Sequence, residues 1–392
     1  MHIFILLAFM RHINLLKRQM ATRRITRNLS PRAAVKVVNN PVAGNPATNK
    51  PYDTLHVAIR TKGRVIYVNP QPDNQSDQVE GIVQSAEPTP IAQSTQSAFS
   101  LPERVLVGFW FGWAPQLSMY DIPPEYNVVC VAFFEPDDGG MPRFVPTIPA
   151  QELKSGIAYL RSRGTVVLLS LGGAHQGVAI KTADRAVFRQ EVINAIETYN
   201  FMGIDIDLEG RSITAANNQT VVPSVLRELK EEYQSQGKPF FITMAPEFGK
   251  LRGPNATYQP FFSGLGNSYD LVMPQYYNQG LDGIWSNTYN RYISQNNDEL
   301  KGEFLYELTS AIINGQSNYI QIPAKKLAIG LPASPEAALN GYVSNPSAVA
   351  WALGRLEEDG NAIRGLMTWS INQDAANGYK FSRDYAPLIY SQ

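Results

Sequence analysis

The stretch that decides the fold reads Gly203-Ile204-Asp205-Ile206-Asp207-Leu208-Glu209, near the middle of the 392-residue chain. Acidic and large aliphatic residues alternate in it, and a period of two residues predicts a β-strand. Such a strand projects Asp205, Asp207 and Glu209 to one face and the aliphatic residues to the other. Crowded carboxylates repel one another, so at least one holds its proton near neutral pH. A carboxylic acid beside a carboxylate is the arrangement that general acid catalysis requires.

Two other interpretations of these acids stay open on this stretch alone. An ordinary half-exposed strand would carry an acidic face in water. A divalent-cation site would use the same carboxylate oxygens to bind Mg²⁺ or Ca²⁺. The rest of the chain decides between these interpretations.

The composition excludes several classes of protein. The chain carries 34 basic and 34 acidic side chains and is 44% hydrophobic, which is ample for a large core. Balanced charge gives no reason to expect nucleic acid or an anionic membrane as a partner. The single cysteine, Cys130, and four histidines without HExxH-type spacing argue against a disulfide and a zinc site, so we expect no metal and no cofactor. Cys130 lies in the apolar run 128–132, which predicts a buried hydrophobic residue.

The amino terminus leaves the route of export open. No segment approaches the ~20 apolar residues of a membrane span. The apolar run 3–10 is followed at once by Arg11, lacks a basic leading region and shows no small-residue cleavage site, and Met20 is an alternative start. We expect a secreted, extracellular protein whose signal for export is not evident.

The chain divides into four predicted segments: a basic, disordered arm (1–53), a small β-hairpin segment (54–85), a linker rich in Pro, Ser, Thr and Gln (86–103) and a regular domain (104–392). An isolated hairpin is only marginally stable in water and needs a surface to pack on. Residues 1–100 are therefore a candidate contact for a protein partner.

Eight apolar runs recur in the regular domain, at 105–111, 128–134, 166–171, 203–208, 240–244, 271–276, 327–331 and 365–369. Their continuous hydrophobicity predicts strands buried on both faces of a parallel sheet. Helical patterns lie between most of them, at 151–161, 185–199, 222–233, 299–313 and 347–358, whereas the Pro-rich connection 114–126 predicts no regular helix. Eight such repeats predict an α/β fold, the (β/α)₈ TIM barrel. A doubly wound open sheet is the alternative, but no GxGxxG motif or P-loop supports a nucleotide site.

The barrel gives the acidic stretch a specific position. Asp205, Asp207 and Glu209 would point into the barrel, with Glu209 at the carboxyl-terminal rim where active sites of barrel enzymes lie. Buried acids are costly unless function maintains them, so the acidic strand face in water becomes the weaker interpretation.

Four motifs on the predicted strands resemble glycoside hydrolase family 18, the chitinase family, across about 104–392. They are Ser170-Leu171-Gly172-Gly173 (S-x-G-G, third strand), Met202 to Glu209 (D-G-x-D-x-D-x-E, fourth strand, except at its first position), Met273-Pro274-Gln275-Tyr276-Tyr277-Asn278 (M-x-Q-x-Y, sixth strand) and Met367-Thr368-Trp369-Ser370 (eighth strand). The four together, in this order, look like a bacterial chitinase.

The resemblance implies retaining, substrate-assisted hydrolysis of β-1,4 linkages in chitin or N-acetylglucosamine oligomers, with the sugar's own acetamide oxygen as nucleophile. Glu209 would be the general acid and base, and Asp207 would orient the acetamide and stabilise positive charge. Asp205 would exchange a proton with Asp207, and Tyr277 would donate a hydrogen bond to the acetamide carbonyl.

The resemblance also implies a set of substrate-binding residues: Trp369 as the floor for the reacting sugar, with Gln275, Met273, Met244, Gly173 and Phe109 around it. Stacking of the indole on the apolar face of a sugar gives Trp369 its role. Core packing explains Met244 and Phe109 equally well, and a turn explains Gly173.

Met202 departs from the family pattern, which usually has Asp there, inward-facing with Asp205 and supporting it. Methionine neither accepts a proton nor a charged hydrogen bond. We expect the Asp205–Asp207 pair to titrate differently and activity to survive, and restoring Asp at 202 to shift the pH–rate profile.

Members of the family with a domain inserted between the seventh and eighth strands have deep tunnels suited to processive exo-action. The connection here, about 333–364, is too short for such a domain, so the resemblance implies an open groove and endo-acting cleavage. Three alternatives remain: an endo-β-N-acetylglucosaminidase on N-glycans, a non-catalytic chitin-binding subunit of a larger, toxin-type bacterial assembly docked through residues 1–100, and a metal-dependent hydrolase.

Overall fold

The computed structural model describes residues 57–61, 64–68, 100–175, 177–253 and 256–391. The chain forms two compact units, Met1–Glu87 and Pro88–Gln392. In the first unit, strand β1 (Val57–Thr61) pairs antiparallel with β2 (Arg64–Val68). The predicted arm and most of the predicted linker lie outside the described residues, and the four-segment division stays a prediction.

The second unit contains strands β3 (Val105–Trp110), β4 (Val128–Pro136), β5 (Pro142–Arg143), β6 (Val166–Gly173), β7 (Gly203–Leu208), β8 (Phe241–Met244), β9 (Leu271–Val272), β10 (Gly283–Ser286), β11 (Arg291–Ser294), β12 (Ala328–Pro332) and β13 (Gly365–Trp369). Eight of them form one parallel sheet in the order β12-β13-β3-β4-β6-β7-β8-β9. β5 pairs with the end of β4, and β10 and β11 form a separate hairpin.

The sheet closes between β9 and β12 through a few backbone contacts. Parallel bridges join Val272 to Leu327 and Gln275 to Gly330. The Tyr276 N–H donates to the Gly330 carbonyl at 3.0 Å, and the Gly330 N–H donates to the Pro274 carbonyl at 3.0 Å. The predicted (β/α)₈ barrel is therefore confirmed, and its eight strands are those expected from the apolar runs.

Helices surround the barrel: α1 (Ala150–Ser162), α2 (Arg185–Tyr199), α3 (Asn218–Ser235), α4 (Gln259–Leu265), α5 (Lys301–Asn314), α6 (Pro346–Glu358), α7 (Ile371–Ala376) and α8 (Lys380–Tyr390). All five predicted helices are present. The fully described connection 114–126 carries the 3₁₀ turn Met119–Asp121 in place of a helix, as its prolines indicate. Among the described residues, no helix combines the length and apolar character needed to cross a membrane.

The apolar side chains pack in two layers. Ile204, Ile206 and Leu208 of β7 belong to the large cluster between the barrel and its helices. A smaller cluster fills the barrel interior and includes the buried Cys130, as predicted. Because alternate residues of β7 face alternate layers, Asp205 points into the barrel interior, where it is fully buried.

Candidate active site

Asp205 is the deepest of the three acids. It is 0% exposed and accepts hydrogen bonds from the Ser170 hydroxyl at 2.8 Å and the Thr243 hydroxyl at 2.6 Å. The two donors lie on β6 and β8, the strands on either side of β7. Burial raises the pKa of Asp205 to about 6, and the two hydroxyls oppose that rise. The sequence analysis named Ser170 only as part of the S-x-G-G motif and did not name Thr243, although both lie inside predicted strands.

Gln275 joins the other two acids. Its side-chain nitrogen lies 2.9 Å from Asp207 Oδ1, 3.1 Å from Glu209 Oε1 and 3.1 Å from the Ala245 carbonyl, so one amide donates toward both carboxyl groups. Burial, and then the charges of Glu209 and Asp205, raise the pKa of Asp207 well above its usual range. Burial and the charge of Glu247 also raise the pKa of Glu209. The site therefore favours protons on these acids at pH values where free carboxyl groups are ionised.

A cavity of about 230 Å³ opens above Asp207 and Glu209. It is lined by Phe109, Phe133, Ala174, Asp207, Glu209, Glu247, Gln275, Tyr277, Asn278, Gln279 and Trp369. Every charged side chain of this lining is acidic. A depression of about 340 Å³ beside Trp110, Tyr120 and Glu152 lacks paired acids, so we place the candidate active site at the smaller cavity.

Aromatic rings form the apolar part of the lining. The Trp369 and Phe133 rings are stacked, with centroids 5.6 Å apart and planes inclined by 14°. Phe109 is tilted against Trp369 with centroids 5.8 Å apart. The open faces of such rings suit the C–H face of a sugar. The structure thus brings Trp369 and Phe109 together with the acids in one cavity.

Phe133 was missed in the sequence because the alternation of β4 breaks there. The pairing of β4 with β6 shifts register between Ala132 and Phe134. Phe134 is consequently buried in the outer layer, while Phe133 turns toward the cavity. A strictly alternating strand would have placed these two rings the other way round.

Glu247 is a second residue that the sequence analysis missed. It follows β8 and lines the cavity, and its Oε2 atom is buried without a hydrogen-bond partner among the described residues. The Lys250 ammonium lies 3.9 Å from this oxygen, beyond hydrogen-bond distance. An acceptor left in this state is available to a bound ligand.

Three expected substrate-binding residues lie elsewhere. Met244 belongs to the cluster between the barrel and the helices, because Thr243 takes the inward position of β8, and the expectation that Met244 shapes the pocket is therefore corrected. Met273 belongs to the interior cluster beneath the cavity. Gly173 has φ +83°, and a Cβ there would come 2.8 Å from the Phe133 ring, so this glycine leaves room for that ring.

Tyr277 and Met202 lie where the sequence analysis placed them. Tyr277 lines the cavity, and burial followed by the charge of Asp207 raises the pKa of its hydroxyl. Met202 is 2% exposed and packs in the interior apolar cluster. Within the described part of the chain, no group of three or more His, Cys, Asp or Glu side chains is arranged to hold a metal ion.

A parallel barrel with buried acids and an aromatic-lined cavity at the carboxyl ends of its strands is the architecture of a glycoside hydrolase. The family model described as glycosyl hydrolases family 18 matches residues 105–349, and the chain belongs to this family.

Individual relatives agree with this assignment. A chitinase of Enterococcus faecalis is 41% identical over 319 residues, which cover 76% of this chain and 91% of that protein. Chitinase Chi52 of Paenibacillus xylanexedens is 30% identical over 78% of this chain and 66% of its own length. The crystal structure of a family GH18 chitinase from Chromobacterium violaceum superposes with a TM-score of 0.62 at 25% identity, covering 74% of this chain and 85% of that one.

Proposed function

We propose that this protein is an endo-acting chitinase that hydrolyses β-1,4 linkages between N-acetylglucosamine units with retention of configuration. The observation that carries the proposal is the Gln275 amide, which holds Asp207 and Glu209 side by side in a cavity walled by Trp369. The relatives from Enterococcus faecalis and Paenibacillus xylanexedens, both named chitinases, support the same substrate.

The reaction uses the acids in two steps. Glu209, protonated because burial raises its pKa, donates its proton to the glycosidic oxygen as the bond to the anomeric carbon breaks. The acetamide oxygen of the same sugar attacks that carbon and forms an oxazolinium ion. Asp207 passes its own proton to Asp205 and, as a carboxylate, accepts a hydrogen bond from the acetamide N–H and stabilises the positive charge. Glu209, now a carboxylate, removes a proton from water as the water opens the ring, which restores both the sugar and the enzyme.

The neighbouring residues hold these groups in place. Asp205, fixed by the Ser170 and Thr243 hydroxyls, lies behind Asp207 on the same face of β7 and raises its pKa. Tyr277 and Trp369 line the same cavity, and in this proposal Tyr277 donates to the acetamide carbonyl while Trp369 stacks on the sugar.

Endo-action is supported by the connection from β12 to β13. It contains the 3₁₀ turn Pro335–Ala337 and α6, and it carries no inserted domain between Ala333 and Arg364, all of which are described. The groove is thus left open to a chain that extends in both directions.

The test compares wild type, Glu209→Gln and the surface control Glu228→Gln on chitin hexamer and on a glycoprotein with a chitobiosyl core. We expect Glu209→Gln to lose about 10²–10⁴-fold in rate and Glu228→Gln to match wild type. Retention predicts that proton NMR detects the β-anomer of the product first. Endo-action predicts that the viscosity of a soluble chitin derivative falls before reducing ends accumulate. No hydrolysis of either substrate by wild type would overturn the proposal, and turnover of the glycoprotein alone would identify an N-glycan hydrolase.

We further propose that the protein acts outside the cell, because an insoluble polymer cannot enter the cytoplasm. Immunodetection in the culture medium and the cell lysate of the native host tests this, and confinement to the lysate would contradict it.

A further inference from the structure

The hairpin of β10 and β11 has two unlike faces. Ile284 and Ile293 are buried in the core on one face, with exposures of 2% and 0%. Trp285 and Tyr292 lie directly opposite each other in the pairing register on the other face, and they are 51% and 44% exposed. Two large aromatic rings side by side in solvent lose the stabilisation that burial would give them. Their position therefore suggests a function other than packing.

The hairpin begins beside the active-site cavity. The chain lines the cavity through Gln279 and enters β10 at Gly283. After β11, the Gln295 side-chain amide donates back to the Gly280 carbonyl at 3.0 Å. The loop after β12 is tied to the same segment, because the Leu339 N–H donates to Asn278 Oδ1 at 2.8 Å. The base of the hairpin and the loop around Leu339 thus adjoin the cavity at Asn278 and Gln279, and this side of the cavity is called here its rim.

Polar contacts fix the Tyr292 ring of this face. The Tyr292 hydroxyl donates to Asp282 Oδ1 at 2.6 Å, and the Arg252 guanidinium donates to the same oxygen at 2.8 Å. The backbone N–H of Gly283 also donates to this carboxylate at 2.8 Å. A surface ordered in advance loses little conformational entropy when a ligand binds to it.

We propose that the Trp285–Tyr292 face, called here the rim platform, binds a chitin chain where it leaves the cavity; this inference rests on the proposed function. The cavity volume of about 230 Å³ is below the usual range for a drug-sized ligand, so it holds the reacting sugar, and the sugars that follow it lie on the rim. Pyranose rings present flat C–H faces that stack on indole and phenol rings. The exposed Leu281 and Leu339 on the same rim, 79% and 87% exposed, extend its apolar surface.

The test measures binding to insoluble chitin in the Glu209→Gln background, where turnover does not remove the ligand. We expect Trp285→Ala and Tyr292→Ala each to raise Kd by about two- to tenfold, the range that one aromatic stack supplies. Trp351→Ala is the matched control, because Trp351 is a 43% exposed tryptophan on α6 that packs against Tyr306. It should bind as the parent does. Trp285→Phe should bind nearly as well as the parent and Trp285→Leu should not, which separates stacking from general apolar contact.

Rates in the otherwise wild-type enzyme complete the test. Trp285→Ala should lower the rate on insoluble chitin more than on a chitobiose-based fluorogenic substrate. Equal affinities of the parent, Trp285→Ala and Tyr292→Ala for chitin would overturn the rim platform while leaving the chitinase proposal standing, and would point to a protein partner for this face. If wild type neither binds chitin nor hydrolyses the fluorogenic substrate, both proposals fail.

Discussion

The burial of Asp205 makes the stability of the folded protein depend on pH. Its pKa is about 6 in the folded protein against an ordinary 3.8, so the folded state binds more protons than the unfolded state between these pH values. The free energy of unfolding therefore falls as pH rises from about 4 to about 6 and loses about 3 kcal/mol in all. Asp205→Asn should remove the share that Asp205 contributes and leave that of Asp207 and Glu209, whose pKa values are also raised, as measured by urea unfolding at pH 4 and pH 7. If Asp205→Asn keeps the full pH dependence of the wild type, groups other than Asp205 cause that dependence.

Burial is the main cause of the raised pKa of Glu209, the proposed general acid, and the nearby charge of Glu247 raises that pKa further. Glu247→Gln should lower that pKa, so the general acid loses its proton at a lower pH. The alkaline limb of the kcat/KM profile should move to lower pH, whereas Glu191→Gln on the surface should leave it in place. An unmoved limb would show that the charge of Glu247 does not reach Glu209.

Met202 occupies an apolar place inside the barrel, where the family pattern has an acid. Because it is 2% exposed, Met202→Asp buries a carboxyl group in the interior cluster and should lower the free energy of unfolding by about 1–3 kcal/mol. The pH–rate profile should shift as well, since a third buried acid changes how Asp205 and Asp207 share protons. Met202→Leu, of similar volume, should change neither. An unchanged profile in Met202→Asp would contradict the assigned influence of this position.

At the scale of the element, β7 depends on the glycine at its start. Gly203 has φ +149°, and a Cβ there would lie 2.0 Å from the Phe241 carbonyl oxygen of the neighbouring strand. Gly203→Ala should therefore force β7 and β8 apart and lower the free energy of unfolding by about 3 kcal/mol or more. Gly354 of α6 is the control: a Cβ there meets no atom within 4 Å, and Gly354→Ala should stabilise the helix by up to about 1 kcal/mol. Equal melting temperatures for the two variants would refute this account of β7.

The elements of the barrel were predictable because buried parallel strands leave long apolar runs in the sequence. Helix α4 was missed because it is only seven residues long and has a proline near its start. Phe133 was missed because a register shift in β4 cannot be read from a run of apolar residues. Met244 was assigned to the wrong layer. Thr243 faces the barrel interior, so the alternation of the strand makes Met244 face the helices.

The sequence predicted the site residues whose chemical roles put them in motifs. It did not predict residues that belong to the site only because the fold brings them close. The acids of β7, Gln275, Tyr277 and Trp369 stand in motifs, and the structure brings them together. Glu247 stands in no motif that the sequence analysis used, and only the closed barrel places it beside Glu209. Distances across a barrel depend on all eight strands, which no local pattern encodes.

At the scale of the whole molecule, the site belongs to one unit of the chain. Every hydrogen bond described at the acids joins residues of Pro88–Gln392, and the described residues that line the cavity all belong to this unit. A chain shortened to residues 88–392 should therefore keep the melting temperature of the barrel and the wild-type kcat/KM on a chitobiose-based fluorogenic substrate. Residues 1–87 would then be free to serve the partner role predicted from the sequence.

Calorimetry and steady-state kinetics on both lengths of chain check this prediction. The full-length protein is the reference, and Glu209→Gln in the short chain confirms that any turnover comes from the barrel. A melting temperature that falls together with kcat/KM would mean that Met1–Glu87 contributes stability or substrate contacts to the barrel. A kcat/KM that falls only on insoluble chitin would instead assign polymer binding to Met1–Glu87, because the described residues that line the cavity all lie in the other unit.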